Sequence, residues 1–307
     1  MDSKNLIICI FLSLQGIEMS CRICGEESFK ERVKLERCTY VECTNCHLVY
    51  QQELPSLEAV NNIYDTNDGG YFQDDYKGVD YSVGEDWIRG SAIFQISILK
   101  QYYKNQLSKA TILDFGAGTG VLLHELKKVG ATVEGIELSR WACQYGEKNF
   151  GVKMHDGDLF SLSIPENKFD IIIMSHVIEH LPNPVEVVLK LKSWLKPGGI
   201  LMIATPNVES TGEYLFKSKW LYYIPNEHLQ LFSPHSIDFF FKKVGLRNKG
   251  TELYLWRKRE TPEAILRLAY SFLKRGVKIL TGAAKKVGRF EYGTSKDGLI
   301  SFGEKSN

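Results

Sequence analysis

Three glycines at alternate positions, Gly116, Gly118 and Gly120, stand directly behind the apolar run Thr111–Phe115. They are followed by Val121–Val129, whose apolar residues fall at helical spacing up to Gly130. Strand, glycine turn and helix in that order open a strand–helix–strand unit. Glycine lets the backbone turn sharply and lets a ligand come close to the chain. The first helical turn leaves N–H groups without partners. With Asp114 two places ahead of Gly116, the pattern is Asp-x-Gly-x-Gly-x-Gly, which departs from the G-x-G-x-x-G of a dinucleotide site. Alone, such a loop does not separate one adenosine-bearing cofactor from another.

The continuation narrows the choice. Ala131–Glu137 reads as a second strand ending in an acid about twenty residues past the loop, where a carboxylate can accept both ribose hydroxyls of an adenosine. A carboxylate at a buried strand end needs such a partner. Val152–Asp156 is a third strand, followed by Gly157 and Asp158. Phe169–Ser175 is strongly apolar and suits the centre of a parallel sheet. Asn183–Leu195 is helical, Lys196–Gly199 stops it, and Ile200–Thr205 is a fifth strand. This alternation predicts an open α/β sheet with its ligand at the carboxyl ends of the strands.

A second signal lies ahead of this core. Cys21 and Cys24 form one CxxC pair, Cys43 and Cys46 another, with eighteen residues between them. Each pair makes a tight knuckle, and two knuckles supply four sulfurs to tetrahedral zinc. Val33–Leu35 and Thr39–Glu42 alternate like short strands, so the product is a zinc ribbon. Gly25 suits the knuckle turn. Cys38 lies outside both knuckles and reads as an ordinary small strand residue. Four thiolates leave no open coordination position, so the zinc is structural. Seven cysteines are an uneven count for a disulfide framework, and this usage points to a reducing, cytoplasmic compartment.

Ahead of the ribbon, Leu6–Leu14 is a short apolar run with a poor cleavage site behind it. Residues 1–18 are read either as an extension upstream of a true start at Met19 or as a signal segment. Leu54–Gly84 is rich in Tyr, Asp, Asn and Gly and reads as a connection, whose aromatics Tyr64, Tyr71, Phe72, Tyr76 and Tyr81 either line a substrate entrance or pack between modules. Asp86–Tyr103 is helical. A formal charge of +1 gives no general attraction to nucleic acid, and no apolar run is long enough to span a bilayer.

Five stretches, in order, resemble the class I S-adenosylmethionine-dependent methyltransferases: LDFGAGTG (113–120), VEGIELS (133–139), DGDLF (156–160), FDIIIMSHVIEHL (169–181) and LKPGG (195–199). The resemblance covers residues 105–245 and implies a Rossmann-like seven-stranded sheet flanked by helices, with an antiparallel last strand. It implies that Gly116, Gly118 and Gly120 approach the amino-acid end of S-adenosylmethionine and that Asp114 orders the loop. It places Glu137 on the ribose hydroxyls, and Asp158 and the Leu159 amide on the adenine. The end of the chain is similar to the same family: Ser233–Val244 is a capped helix stopped by Gly245, Leu246–Trp256 strand six, and Asp297–Phe302 strand seven. The intervening Pro262–Gly288 is helical and basic. It is either a solvated face or a peripheral surface for phosphate-bearing or membrane-linked substrates.

The family's substrate face falls on Ser175–His180 and Tyr223–His228, which makes His180, Glu227 and His228 the candidate acid–base residues. On the bland alternative, Glu179 caps a helix and His228 is a satisfied buried histidine. The four-Cys module, the core and the EHLQLFS stretch (227–233) together resemble bacterial methyltransferases of sugar nucleotides, surface glycans and natural products. The large C-terminal domain of the sugar C-methyltransferases is missing, which favours O-methylation of a sugar or other small hydroxyl compound. A zinc-ribbon rRNA methyltransferase and a non-catalytic cofactor-binding protein stand as alternatives. The expected organisation is an extension (1–18), a zinc ribbon (19–52), a linker with a helix (53–104) and a methyltransferase domain (105–307) carrying the basic insertion 261–289.

Overall fold

A computed structural model of the chain describes residues 20–55, 81–157, 159–254 and 297–306. The expectations for residues 1–18, for Tyr64 to Tyr76, for Asp158 and for the basic insertion 261–289 lie outside the described residues.

The cysteine module comes first. β1 (Phe29–Lys34), β2 (Thr39–Cys43) and β3 (Val49–Gln51) run antiparallel in sequence order. Gly25 turns the first knuckle at φ +76°, a left-handed conformation that glycine adopts without a Cβ clash. The core follows: α1 (Tyr81–Tyr102), β4 (Thr111–Phe115), α2 (Val121–Lys128), β5 (Thr132–Glu137), α3 (Arg140–Phe150), β6 (Lys153–Asp156), β7 (Phe169–Ser175), α4 (Pro184–Trp194) and β8 (Leu195–Pro206). Then come α5 (Thr211–Phe216), β9 (Gln230–Leu231), α6 (Pro234–Lys243), β10 (Leu246–Tyr254) and β11 (Gly298–Lys305).

Seven strands make one sheet in the order β10-β11-β8-β7-β4-β5-β6. All run parallel except β11, which is inserted antiparallel between β8 and β10. The implied seven-stranded sheet with a reversed last strand is therefore present. Its central strands alternate between two buried faces. Ile171, Ile173, Ile200 and Met202 point to one side with α1 and α2, and Ile172, Met174, Leu201 and Ile203 to the other with α4 and α6. Burial on both faces explains why β7 reads as an unbroken apolar run.

Caps follow local chemistry. The Ser139 hydroxyl accepts from Ala142 N at the start of α3, and Gly151 ends that helix at φ +60°. Ser233 and Ser236 form a reciprocal capping box on α6. One boundary differs from expectation. Lys196–Gly199 does not stop α4 from outside a strand, because β8 already begins at Leu195. Phe169 pairs with Leu195, and the next pairing joins Ile171 to Ile200, so the Lys-Pro-Gly-Gly stretch is a bulge swallowed by the strand.

The cysteine module is joined to the core by more than the connecting chain. β9 pairs antiparallel with β3, Val49 facing Leu231 and Tyr50 facing Gln230, and so completes a four-stranded sheet. Cys21, Cys43, Cys46, Leu48 and Tyr50 pack in the same apolar cluster as Met174, Trp194 and Phe240. Among the described residues, no helix is long and apolar enough to cross a membrane.

Candidate functional site

The strand order reverses between β4 and β7, and the carboxyl ends of β4, β5, β7 and β8 converge there. Open α/β sheets bind ligands at such a switch point. On one side lies the glycine loop. Gly116 N and Ala117 N donate to the Ile136 carbonyl at 2.9 and 3.1 Å, which ties the loop to β5. Gly116, Gly118 and Gly120 all have positive φ. A Cβ at Gly116 would lie 2.4 Å from Val177 Cγ2, so only glycine fits where the loop meets the segment after β7.

The Glu137 carboxylate reaches across the end of β5. It accepts from Gly118 N and Ser139 N at 2.9 Å each, and burial raises its carboxyl against those amides. Beside it Asp114 is 3% exposed, and burial, followed by the Glu137 charge, pushes it up to about 7. Asp114 Oδ1 is buried with no hydrogen-bond partner among the described residues. A buried acceptor without a donor is costly, and a cationic ligand group would relieve it. The donor set therefore fits S-adenosylmethionine. Its α-ammonium would satisfy Asp114 and its ribose diol would suit Glu137, while the amides of Gly116, Ala117, Gly118 and Gly120 are already spent on Ile136, Glu137 and Ala117. Leu159 is buried behind β6 with its side chain in the core.

Across the reversal lies a cluster of histidines around one carboxylate. His176, at φ +56°, donates its backbone N–H to the Ala204 carbonyl at the end of β8. A non-glycine residue held in this region is strained, and such strain gathers at functional sites. His176 Nδ1 lies 3.0 Å from Glu179 Oε1, and Thr205 Oγ1 donates to Glu179 Oε2 at 2.9 Å. Glu179 is fully buried in the short turn Ile178–His180. Burial alone would raise it, but His176 first and then His180 and His228 hold it down at about 2.

His180 Nδ1 is 2.9 Å from the Glu227 carbonyl, and His228 Nδ1 is 2.8 Å from the Tyr222 carbonyl. A carbonyl oxygen can only accept, so both rings carry their proton on Nδ1. The rings meet edge to face with centroids 4.9 Å apart. One side-chain atom from each of Glu179, His180 and His228 falls within 4.8 Å of the others. Burial, then the neighbouring His180, pushes His228 down to about 3, so it stays neutral.

The structure brings together His180 and His228, which the resemblance put on the substrate face, and places Glu227 half-buried at the same turn. Glu179 does not cap a helix. It is the anion on which the cluster is built. Thr205, His176 and Tyr222 belong to the same network. His176 stands inside the stretch already singled out, but no local pattern marks Thr205 or Tyr222, whose roles depend on contacts distant in sequence.

At the other module, Cys21 Sγ lies 3.4 Å from Cys46 Sγ, and Cys24 Sγ lies 3.5 Å from Cys43 Sγ. All four sulfurs are within 4.8 Å of one another, and Cys38 is outside the group. Zinc at about 2.3 Å from each sulfur requires edges of about 3.8 Å, so the four thiols fit a closed tetrahedral site. The hydrogen bond between Cys21 and Cys46 lowers the one thiol and raises the other, so the pair shares a proton that a metal would displace.

The chain is similar to several known proteins. It is 37% identical over 103 residues to malonyl-[acyl-carrier protein] O-methyltransferase of Halalkalibacterium halodurans, covering 31% of this chain and 38% of that protein. It is 29% identical over 163 residues to ubiquinone biosynthesis O-methyltransferase of Haemophilus ducreyi, covering 50% of this chain and 64% of that one. The chain thus spans less than two thirds of the length of these relatives. A crystal structure of a SAM dependent methyltransferase from Archaeoglobus fulgidus superposes with a TM-score of 0.49 at 20% identity, covering 74% of this chain and all of that one. The family model described as a methyltransferase domain matches residues 94–249, just over half of the chain. That match takes in the glycine loop, Glu137 and the histidine cluster: the chain belongs to the methyltransferase-domain family.

Proposed function

We propose that the chain transfers a methyl group from S-adenosylmethionine to an oxygen of a small-molecule or glycan acceptor, such as a hydroxyl of a sugar or sugar nucleotide. The observation that carries this reading is the orphaned, buried Asp114 Oδ1 beside Glu137, at the mouth of the glycine loop of a methyltransferase-domain protein. The histidine cluster follows β7, the strand paired beside β4. The oxygen acceptor draws support from the two relatives, both named as O-methyltransferases. The sugar class draws on the EHLQLFS stretch and the four-Cys module.

In the proposed reaction the acceptor oxygen attacks the methyl carbon in line with the departing sulfur. The carbon–sulfur bond breaks with its electrons going to sulfur, and the hydroxyl proton leaves. The residues of the chain align the two reactants and take that proton. His180 receives it, its tautomer fixed by the Glu227 carbonyl. The buried Glu179 anion stabilises the imidazolium that forms. His228, neutral and edge-on, orients the His180 ring. Glu227, half-buried beside His228, is the candidate to hold an acceptor hydroxyl.

Calorimetry with S-adenosylhomocysteine tests the donor side. The expected result is binding by the wild-type chain and a loss of roughly tenfold to hundredfold in Glu137→Ala, the effect of removing a charge-assisted hydrogen-bond pair. Incubation with methyl-labelled donor and a panel of sugars and sugar nucleotides then reads the acceptor. Label reaching none of the oxygen acceptors, but a nitrogen or carbon compound instead, would overturn the oxygen assignment.

A further inference from the structure

The segment from Tyr222 to Ser233 carries His228, one of the three histidines of the cluster, and is held on two sides. On the sheet side, Leu229 N donates to the Glu179 carbonyl at 2.8 Å. Gln230 Nε2 donates to the carbonyls of Ile178 and Leu181 at 2.6 Å each. On the other side the cysteine ribbon supplies a second set of ties. Gln51 N donates to the Leu229 carbonyl at 2.9 Å. The Gln51 side chain brackets Asn226, accepting from its N at 2.8 Å and donating to its Oδ1 at 3.1 Å. Tyr40 donates its hydroxyl to the His228 carbonyl at 2.8 Å, with Ile224 O a second acceptor at 3.2 Å.

Arg22, inside the first knuckle, spreads its fork over the Leu229 carbonyl at 2.6 Å and the Gln51 carbonyl at 2.8 Å. Asn226 sits at φ +68°, a left-handed conformation that asparagine tolerates, and Gln51 pairs with both its backbone N–H and its side chain. Glu227 and His228 are the next two residues.

We propose that Arg22, Tyr40 and Gln51 are positioning residues of the acceptor site, and that the cysteine ribbon is the outer frame that fixes Glu227 and His228 against His180. This rests on the reading that the histidine cluster faces the acceptor. The Cys21 and Cys24 thiols, which would hold the metal, would fix the backbone on either side of Arg22. The fork and the Gln51 bracket pass that rigidity to the 226–229 turn, and the turn sets the His228 ring and the carbonyl that chooses the His180 tautomer. The ribbon's polar groups reach Ile224, Asn226, His228 and Leu229, the stretch that contains Glu227 and His228.

The test uses full-length, zinc-loaded protein with nitrogen-15 histidine. Ring nitrogen shifts report which nitrogen holds the proton. In the wild type, His180 and His228 show fixed Nδ1–H patterns. In Gln51→Ala, Tyr40→Phe and Arg22→Ala the His228 pattern averages between tautomers. Arg22→Lys, which keeps the charge but lacks the fork, behaves like Arg22→Ala. S-adenosylhomocysteine affinity stays within about threefold of wild type throughout, and zinc is retained. Unchanged His228 signals in both Gln51→Ala and Arg22→Ala would overturn the proposal. So would donor affinity falling in step with the histidine change, because the effect would then be general loosening of the fold. Failure of the wild type to bind S-adenosylhomocysteine would instead overturn the donor reading, with the histidine signals still deciding the frame.

Discussion

At the scale of single residues, Asp114 carries the sharpest conflict between stability and binding. Burial raises its pKa from an unfolded value near 3.8 to about 7. A carboxyl raised on folding lends stability that is complete below its unfolded pKa and is lost as pH rises through the folded one. At pH 8 the ligand-free protein therefore holds an ionised Asp114 at a cost. Asp114→Asn is expected to raise the unfolding free energy at pH 8 by up to about 4 kcal/mol, with little change at pH 4. An ammonium on the donor prefers the carboxylate, so S-adenosylhomocysteine affinity should fall by up to about tenfold per unit as pH drops below 7. In Asp114→Asn binding should be weak and flat across that range. Calorimetry at pH 5 to 8 checks the second arm and urea melts the first. A wild-type affinity independent of pH would refute the assignment. The glycines, Asp114 and Glu137 were legible because a strand, a turn and the next strand end are local signals. Arg22, Gln51 and Asn226 were not, because each acquires its role only when positions 29 to 207 residues apart are brought together.

At the scale of elements, the closeness of α3 to the glycine loop is the feature most open to test. A Cβ at Gly146 would lie 2.9 Å from the Thr119 carbonyl oxygen. Two effects compete in Gly146→Ala. Alanine favours a helix interior over glycine by about 1 kcal/mol, whereas forcing a methyl into a close-packed contact costs about 1–3 kcal/mol. The contact is with backbone, which cannot rotate away, so the clash should win. We expect a net loss of about 1 kcal/mol in urea melts and weaker donor binding, because the helix can retreat only by reshaping the loop. A more stable variant with wild-type donor affinity would show that α3 has slack. The parallel strands and their helices followed from apolar periodicity. The bulge at Lys196–Gly199 did not, since Pro-Gly-Gly is the usual mark of a turn and only the pairing of Ile171 with Ile200 shows the strand absorbing it. β9 is two residues long, too short for any periodic signal.

At the scale of the whole molecule, the ribbon and the sheet share one apolar cluster and one pair of hydrogen-bonded strands, so they should melt together. Scanning calorimetry of the zinc-loaded protein is expected to show a single transition, moved to lower temperature by a chelator because metal bound only to the folded state stabilises it. Two separated transitions would mean that β3 and β9 part easily. The pairing of β3 with β9 also has a consequence for heredity and for engineering. Acceptor preference could not be moved between proteins by exchanging the N-terminal module as a cassette. A transplanted ribbon would arrive without the partner strand that completes its sheet and without the turn that its arginine, tyrosine and glutamine are cut to hold. On the proposed reading the heritable unit of specificity is discontinuous, residues 20–55 together with roughly 222–233, and substitutions in the two pieces should be found to change in concert.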